Sequence, residues 1–259
     1  MKKLALLFLF ITIASCNNSK TETDGASDPE VNLTAQTIID KTIENACNGN
    51  CDRAEVSFTF RDKVYKSKRL QGFFTLERIT NDSTGVIRDE LTNEGFTRSV
   101  NDIILKLADT TLAKLSNSVN SVHYFAQLPY GLNAPAVQKQ LVGTDSIKGK
   151  PYYEVKVTFK KEGGGTDYED EFMYWIHQKD YTVDYLAYSY EVDGGGIRFR
   201  EAYNPRVVEG IRFVDYNNYK VDDLKTPLSE LDDLFEVHKL PLLSKIETEN
   251  VEVKLLNQL

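Results

Sequence analysis

Most of the chain alternates between apolar and polar residues with a period of two, and this pattern predicts β-strands. The alternation is clearest in residues 54–62, 152–159 and 196–204. Residues typical of turns (Asn, Asp and Gly) separate the strands, and the glycine triplets at 163–165 and 194–196 predict hairpin turns. The motif Gly-Ile-Arg-Phe occurs twice, fourteen residues apart, which predicts two neighbouring strands of similar build.

Two longer stretches have the 3.6-residue period of an amphipathic helix. Residues 32–46 carry a stripe of isoleucines, with Asn32 or Thr34 as the N-cap. Residues 109–128 form the second predicted helix, with Asp109 as its cap. His123 lies one residue beyond the apolar stripe of this helix, so we interpret it as a boundary residue rather than a ligand.

Shorter elements complete the pattern. Asn133 and Pro135 predict the start of a short helix, because proline favours the first helical turn. Thr226 and Pro227 open a last short helix, and residues 246–256 form a final strand.

These elements predict an α+β, mainly β, protein. Strand follows strand directly within each half of the chain, which favours antiparallel pairing. We expect a single strongly curved antiparallel sheet, a half-open barrel of roughly ten to twelve strands, because a sheet of that size curls under its own twist. The two main helices are expected on its concave side.

The first sixteen residues, MKKLALLFLFITIASC, have the order of a secretory leader: two lysines, an apolar stretch and then small residues. The apolar stretch is too short to span a bilayer. The ending resembles the lipobox of bacterial lipoproteins, which implies cleavage after residue 15 and attachment of acyl chains such as palmitate to Cys16. The alternative is an ordinary signal peptide that happens to contain a cysteine. Residues 16–31 are polar and predict a flexible tether, followed by one domain over residues 32–259.

Lipidation on Cys16 would anchor the protein to a membrane of the cell envelope. Asn17 follows the cysteine, and by resemblance to sorting rules the absence of an Asp there favours the outer membrane. The sequence leaves open whether the domain faces the periplasm or the cell surface, although Glu22 and Asp24 favour surface export.

Composition excludes some partners. The formal net charge is −8 and no basic stripe is present, so no nucleic-acid partner is predicted. Hydrophobic residues make up 41% of the chain, enough for a sizeable core.

Cys47 and Cys51 are separated by a short Asn-Gly-Asn turn. In an oxidising compartment such a pair usually forms a disulfide, and we predict one here; free thiols or a metal site are the alternatives. Zinc generally takes four nitrogen or sulfur ligands, and none of the three histidines lies near this pair in sequence. We therefore predict no metal and no cofactor.

Residues 174–204 contain the only tryptophan, a histidine and many tyrosines, which raises the question of an active site. His177 has Asp180 and Asp184 nearby in sequence, but no nucleophile motif accompanies them, so we assign no catalytic residue. The aromatic residues suit either sheet packing or the lining of a cavity for an amphiphile. The predicted ligand-lining residues are Tyr174, Trp175, Tyr185, Phe199, Glu201 and Phe213.

Two acids fall on apolar strand faces in this region. Glu201 shares a face with Phe199, and Asp215 shares one with Phe213. We interpret both as partners of nearby arginines; a role in ligand binding is the alternative.

Three stretches together resemble a family of uncharacterised bacterial envelope lipoproteins with a domain of unknown function: YFAQLPYGLNAPAV, KGKPYYEVKVTF and residues 174–220. The strand–turn–strand pattern of YWIHQKDYTVDYL also resembles the lipoprotein carriers LolA and LolB. That resemblance implies a half-open barrel with an apolar cavity for acyl chains, and it supplies no catalytic residues.

We derive three hypotheses. The first is a membrane-anchored envelope lipoprotein that binds or carries an apolar or amphiphilic ligand, such as a lipid, without catalysis. The second is a structural or interaction module with a filled core that meets an envelope protein partner. The third is an envelope hydrolase that uses Glu201, Asp215 or His177.

Overall fold

Strands dominate the computed structural model, which describes residues 33–165, 168–191 and 194–257. The predicted leader (1–15), the lipidation site Cys16 and the tether (16–31) lie outside the described residues. The described residues form one compact unit. No helix in the described ranges is both long enough and apolar enough to cross a membrane.

The described residues form two sheets of seven antiparallel strands. The first sheet has the order β14-β1-β2-β3-β4-β5-β6. Its strands are β1 (Arg53–Phe60), β2 (Lys63–Leu70), β3 (Phe73–Asp82), β4 (Gly85–Thr92), β5 (Gly95–Val100), β6 (Ile103–Ile104) and β14 (Glu249–Leu255).

The second sheet has the order β13-β12-β11-β10-β9-β8-β7, again with antiparallel neighbours. Its strands are β7 (Val137–Ile147), β8 (Lys150–Phe159), β9 (Glu171–His177), β10 (Val183–Tyr190), β11 (Gly196–Val208), β12 (Ile211–Val221) and β13 (Leu242–Ile246). The two Gly-Ile-Arg-Phe motifs begin β11 and lead into β12, which pair as predicted.

The antiparallel, mainly β prediction is confirmed, but the prediction of a single sheet is wrong. Pairing stops at β6, a strand of two residues, because the chain then enters a helix and resumes in the second sheet. The end of the chain returns to the first sheet as β14, which pairs with β1.

Within the described ranges three α-helices accompany the sheets: α1 (Ala35–Cys47), α2 (Asp109–Ala126) and α3 (Leu231–Glu236). The predicted cap Thr34 begins α1 and forms a reciprocal capping box with Thr37. Helix α2 begins at Asp109, but the prediction of Asp109 as its cap is wrong: Ala108 is the N-cap, without a side-chain hydrogen bond, and Asp109 lies in the first turn. Short 3-10 turns cover Tyr130–Asn133 and Leu228–Glu230.

The short helix predicted after Asn133 is wrong, because Val137–Ile147 is strand β7. The proline satisfied a helix-start signal, but the residues that follow alternate and pair with β8 over the whole strand. Pairing of a complete strand outweighs one local capping signal.

The second sheet is covered on both faces. Along β9, Phe172, Tyr174 and Ile176 pack with Ile38 and Ile39 of α1. The alternate residues Met173 and Trp175 pack with Leu231 and Phe235 of α3. Since successive side chains of a strand point to opposite faces, α1 and α3 lie on opposite sides of this sheet. The two main helices of the prediction, α1 and α2, share one side, because Tyr124 and Phe125 of α2 pack against the same cluster as α1.

A third core cluster joins the two sheets. Val56, Phe58 and Tyr65 of the first sheet pack with Ile211 and Phe213 of β12. Burial of each large side chain contributes about 1.5–3 kcal/mol. Val122 and Ala126, near the end of α2, pack against the same cluster.

Cys47 and Cys51 are joined by a disulfide in the structure, with their Cα atoms 5.2 Å apart. The bond closes the turn that follows α1 and leads into β1.

Candidate functional site: an apolar pocket beside Arg200

A small pocket lies where the end of α2 approaches both sheets, with a volume of about 90 Å3. One strand residue comes from the first sheet, several come from the second, and one side of the pocket is α2. The lining residues are Phe60, Ser121, Val122, Phe125, Ala126, Arg200, Val214, Tyr216, Ile246 and Thr248. Arg200 is the one charged residue in this set.

Strand alternation places Arg200 in the pocket. Ile197 and Phe199 of β11 point to the α3 side of the sheet. Arg200 and Ala202 therefore point to the α1 side, where Ala202 contacts the core. Arg200 is 7% exposed.

Aromatic rings surround the guanidinium group. Its central carbon lies 3.8 Å from the ring centroid of Phe125, 5.0 Å from that of Tyr188 and 5.9 Å from that of Tyr216. The Nη2 atom of Arg200 donates to the Tyr188 hydroxyl at 2.8 Å. The Nε and Nη1 atoms of Arg200 have no hydrogen-bond partner within the described residues. This arrangement can bind an anion or water.

Neutral hydroxyl groups complete the surroundings. Burial raises the pKa of Tyr216 to about 12, so its hydroxyl stays protonated at neutral pH. The Tyr124 hydroxyl of α2 lies 2.6 Å from that of Tyr174 on β9, and burial raises the pKa of both groups. The tyrosine hydroxyl groups near Arg200 are therefore neutral and do not compensate its charge.

A second, more polar cleft of about 330 Å3 borders α2 at Asn120, His123 and Tyr124. His123 is buried, so its interpretation as a boundary residue is wrong. Its ring stacks edge-on against Phe58 and Tyr65, and its Nε2 lies 3.1 Å from the Glu77 carbonyl oxygen. Burial lowers the pKa of His123 to about 4, so it is neutral at physiological pH.

The predicted ligand-lining residues do not come together. Tyr174 lies in the core beside α1, whereas Trp175, Tyr185 and Phe199 lie on the opposite face of the sheet beneath α3. None of these four borders the pocket at Arg200. Their role as ligand-lining residues stays a prediction.

Glu201 and Phe213 lie elsewhere again. Phe213 packs in the cluster that joins the two sheets. Glu201 forms an ion pair with Lys148 at 2.5 Å, not with an arginine as predicted, and accepts hydrogen bonds from Asn217 and Tyr219. Although burial raises its pKa, these partners together lower the pKa of Glu201 below its ordinary value.

The three residues of the hydrolase hypothesis also occupy separate networks. Asp215 pairs with Arg206 at 3.0 Å, as predicted for an acid on an apolar face. His177 lies at the end of β9 with its Nδ1 3.2 Å from Asp180. In the described part of the chain no hydrogen bond or ion pair joins His177, Asp215 and Glu201 to one another.

Three carboxylates, one of them on α3, lie close enough together to hold a metal ion. Oxygen atoms of Asp145, Glu154 and Asp232 all fall within 4.8 Å of one another. The Trp175 indole donates to Asp232 Oδ2 at 3.1 Å, while Oδ1 has no partner among the described residues. Burial, with the nearby Asp145, raises the pKa of Asp232 to about 7, so a shared proton is the alternative to a cation.

The chain has low similarity to several solved structures. A LolA superfamily protein from Nitrosomonas europaea is 12% identical, with 88% of this chain and 95% of that chain covered and a TM-score of 0.47. A DUF1329 family protein from Desulfovibrio piger is 10% identical (84% and 92% covered, TM-score 0.43). A putative outer membrane lipoprotein-sorting protein domain from Vibrio parahaemolyticus is 6% identical (78% and 99% covered, TM-score 0.43).

Because these TM-scores are below 0.5, the similarities do not support a conclusion about the fold or the function of this chain. The comparison with curated proteins found no match. A sequence profile matches residues 2–248, nearly the whole chain, and by this match the protein belongs to the family of unknown function DUF6503.

Proposed function

We propose that this protein is a lipid-anchored envelope protein that binds or carries an apolar or amphiphilic ligand without catalysis. The pocket at Arg200 is the observation that carries the proposal. Its walls are mostly apolar, with Phe60, Val122 and Ile246 on different elements facing one space. Apolar pockets with few polar groups are typical of sites for small apolar ligands.

Helix α2 is the element that can admit a larger ligand. Only Val119 and His123 of its 18 residues are buried. Several of its attachments to the first sheet are polar: Arg78 donates to Ser118, and Gln127, just after the helix, donates to Ser67. Polar contacts of this kind exchange with water at modest cost. A ligand larger than 90 Å3 would enter by displacing α2.

Localisation rests on the leader sequence. Acylation of Cys16 would hold the domain at a membrane surface through the tether, where lipids and other amphiphiles are abundant. We place the protein at the outer membrane, on either its periplasmic face or the cell surface.

Substitution inside α2 tests the proposal. Ala126→Phe puts a ring into the pocket, while Ala113→Phe makes the same change on the exposed side of the same helix. The full chain, purified in a nonionic detergent, is analysed by native mass spectrometry and lipid extraction. We expect bound lipid on the natural chain and on Ala113→Phe, and a loss of it on Ala126→Phe. Equal lipid on both variants would contradict the proposal.

A structural or interaction module with a filled core is the second candidate. The small volume of the pocket favours it, as does the exposed apolar end of the first sheet, where Ile103 and Ile104 are 70% and 71% exposed. Apolar residues grouped at a surface are typical of protein interfaces. Absence of bound lipid from the natural chain and from both variants would favour this candidate.

A further inference from the structure

Arg200 is a buried charge without a compensating acid. Three of its five N–H donors, those on Nε and Nη1, have no acceptor within the described residues. Cation–π contacts stabilise a desolvated cation by less than the cost of removing that cation from water. The aromatic rings therefore compensate only part of this cost.

The neighbouring acids are already paired. Asp184 faces Arg212 at 3.7 Å, and Asp215 faces Arg206 at 3.0 Å. No ion pair in the described part of the chain includes Arg200. The position is therefore one at which an additional negative charge would be stabilised.

An unpartnered acceptor lies next to it. Asn218 is paired with Arg200 across β11 and β12, and its buried Oδ1 has no hydrogen-bond partner among the described residues. Its Nδ2 donates to Ser244 at 3.2 Å. Asn218 does not line the pocket, so on the pocket wall the unpartnered polar group is the guanidinium of Arg200.

The size and polarity of the pocket limit the ligand. A volume of about 90 Å3 equals about three water molecules by their share of the liquid, enough for a carboxylate and the first carbons of a chain. Resting on the proposed function, we infer that Arg200 binds the carboxylate head group of a single-chain anionic amphiphile, such as a fatty acid. Its chain lies along Phe60 and Ile246 and displaces α2.

The test compares ligands that differ in one property. The full chain in nonionic detergent micelles is mixed with dodecanoate, with dodecan-1-ol or with butanoate, and retention is measured by native mass spectrometry. We expect dodecanoate to be retained at least about tenfold more than dodecan-1-ol, the factor that one charge-assisted hydrogen bond supplies. Butanoate lacks the chain and is expected to compete poorly.

Variants assign the preference to one side chain. Arg200→Gln should abolish the preference for dodecanoate, and Arg200→Lys should restore part of it. Arg198→Gln is the matched control, since Arg198 lies on the same strand face but outside the pocket, with its side chain over Tyr190. The control should behave as the natural chain does.

The possible outcomes distinguish failure of the inference from failure of the proposed function. Equal retention of dodecanoate and dodecan-1-ol by the natural chain would overturn the inference and leave the proposed function standing; this comparison needs no variant to fold. Preference retained in Arg200→Gln, or butanoate competing as well as dodecanoate, would also overturn it. Retention of neither long-chain ligand would overturn both.

Discussion

Asp89 and Asp232 are both buried carboxylates, yet their surroundings shift their pKa values in opposite directions. Burial alone raises the pKa of Asp89, but hydrogen bonds from Arg98 and Arg78 lower it below its ordinary value. Asp232 has other acids as neighbours, so burial and Asp145 raise its pKa to about 7. Each residue gives a separate prediction.

Asp232→Asn should change how stability depends on pH. Because the pKa of Asp232 is raised in the folded state, its contribution to stability falls as pH rises from about 4 to about 7 and then stays constant. One pKa unit corresponds to about 1.4 kcal/mol. At pH 8, we expect the variant to be more stable than the natural chain by on the order of 2–4 kcal/mol.

Urea unfolding at pH 5 and pH 8, with a chelator present, measures this difference. The advantage of the variant should be smaller at pH 5 than at pH 8 by about 2–3 kcal/mol, because about two pKa units of the shift lie between these two pH values. Asp233→Asn, at the exposed neighbouring position, should show no such pH effect. A natural chain whose stability does not change between these two values would contradict the prediction.

Asp89→Asn should destabilise the fold strongly. Asp89 accepts from Arg78 at 2.6 Å and from Arg98 at 2.5 Å, and its side chain is almost fully buried. Removing its charge leaves two cations uncompensated, which costs about 3–5 kcal/mol. Glu55→Gln, in an exposed pair with Lys68 on the same sheet, should cost about 0–1 kcal/mol. Chemical denaturation measures both, and similar losses in the two variants would contradict the idea.

Alternation predicts which side chains share a face of a sheet, but it does not predict whether that face is buried or exposed to solvent. Alternation along β9 places Tyr174 and Trp175 on opposite faces of the sheet. Arg200 was missed because arginines that alternate with Ile197 and Phe199 are typical of a solvent-facing side. This sheet is covered on both sides, by α1 and by α3, and no local pattern in the sequence reports that second layer.

Helices α1 and α2 differ in how they are held, although both were predicted from periodicity. Six of the 13 residues of α1 are buried and its N-terminus has a capping box. Helix α2 has two buried residues out of 18 and no side-chain cap. The hydrophobic period located both helices but did not predict how deeply each would pack.

Hydrogen exchange should therefore separate the two helices. We expect the amides of α2 to exchange faster than those of α1, because few buried contacts must break for α2 to open. Mass spectrometry of peptic peptides from each helix measures the rates. Addition of dodecanoate should slow exchange in α2 and leave α1 unchanged. Equal protection of the two helices without ligand would argue against α2 as a movable cover.

At the scale of the whole molecule, the pairing of strands that follow one another could be predicted from sequence, whereas the sheet to which each strand belongs could not. Each hairpin joins neighbours in sequence, so the antiparallel order followed from turns and alternation. The membership of β14 in the first sheet depends on its pairing with β1, a contact between strands almost 200 residues apart. Local patterns contain no information on such pairing, because its energy comes from packing and ladders across the entire fold.

The last prediction concerns how the molecule is attached. If Cys16 carries the acyl anchor, Cys16→Ser should move the protein from the membrane fraction to the soluble fraction and abolish labelling by an alkyne fatty acid. The double variant Cys47→Ser, Cys51→Ser is the control: it removes the disulfide within the folded domain but should keep both the label and the membrane attachment. Fractionation and gel fluorescence of the three proteins measure the outcome. Label on Cys16→Ser would place the anchor elsewhere, and an unlabelled natural chain would leave the apolar leader as an ordinary signal peptide.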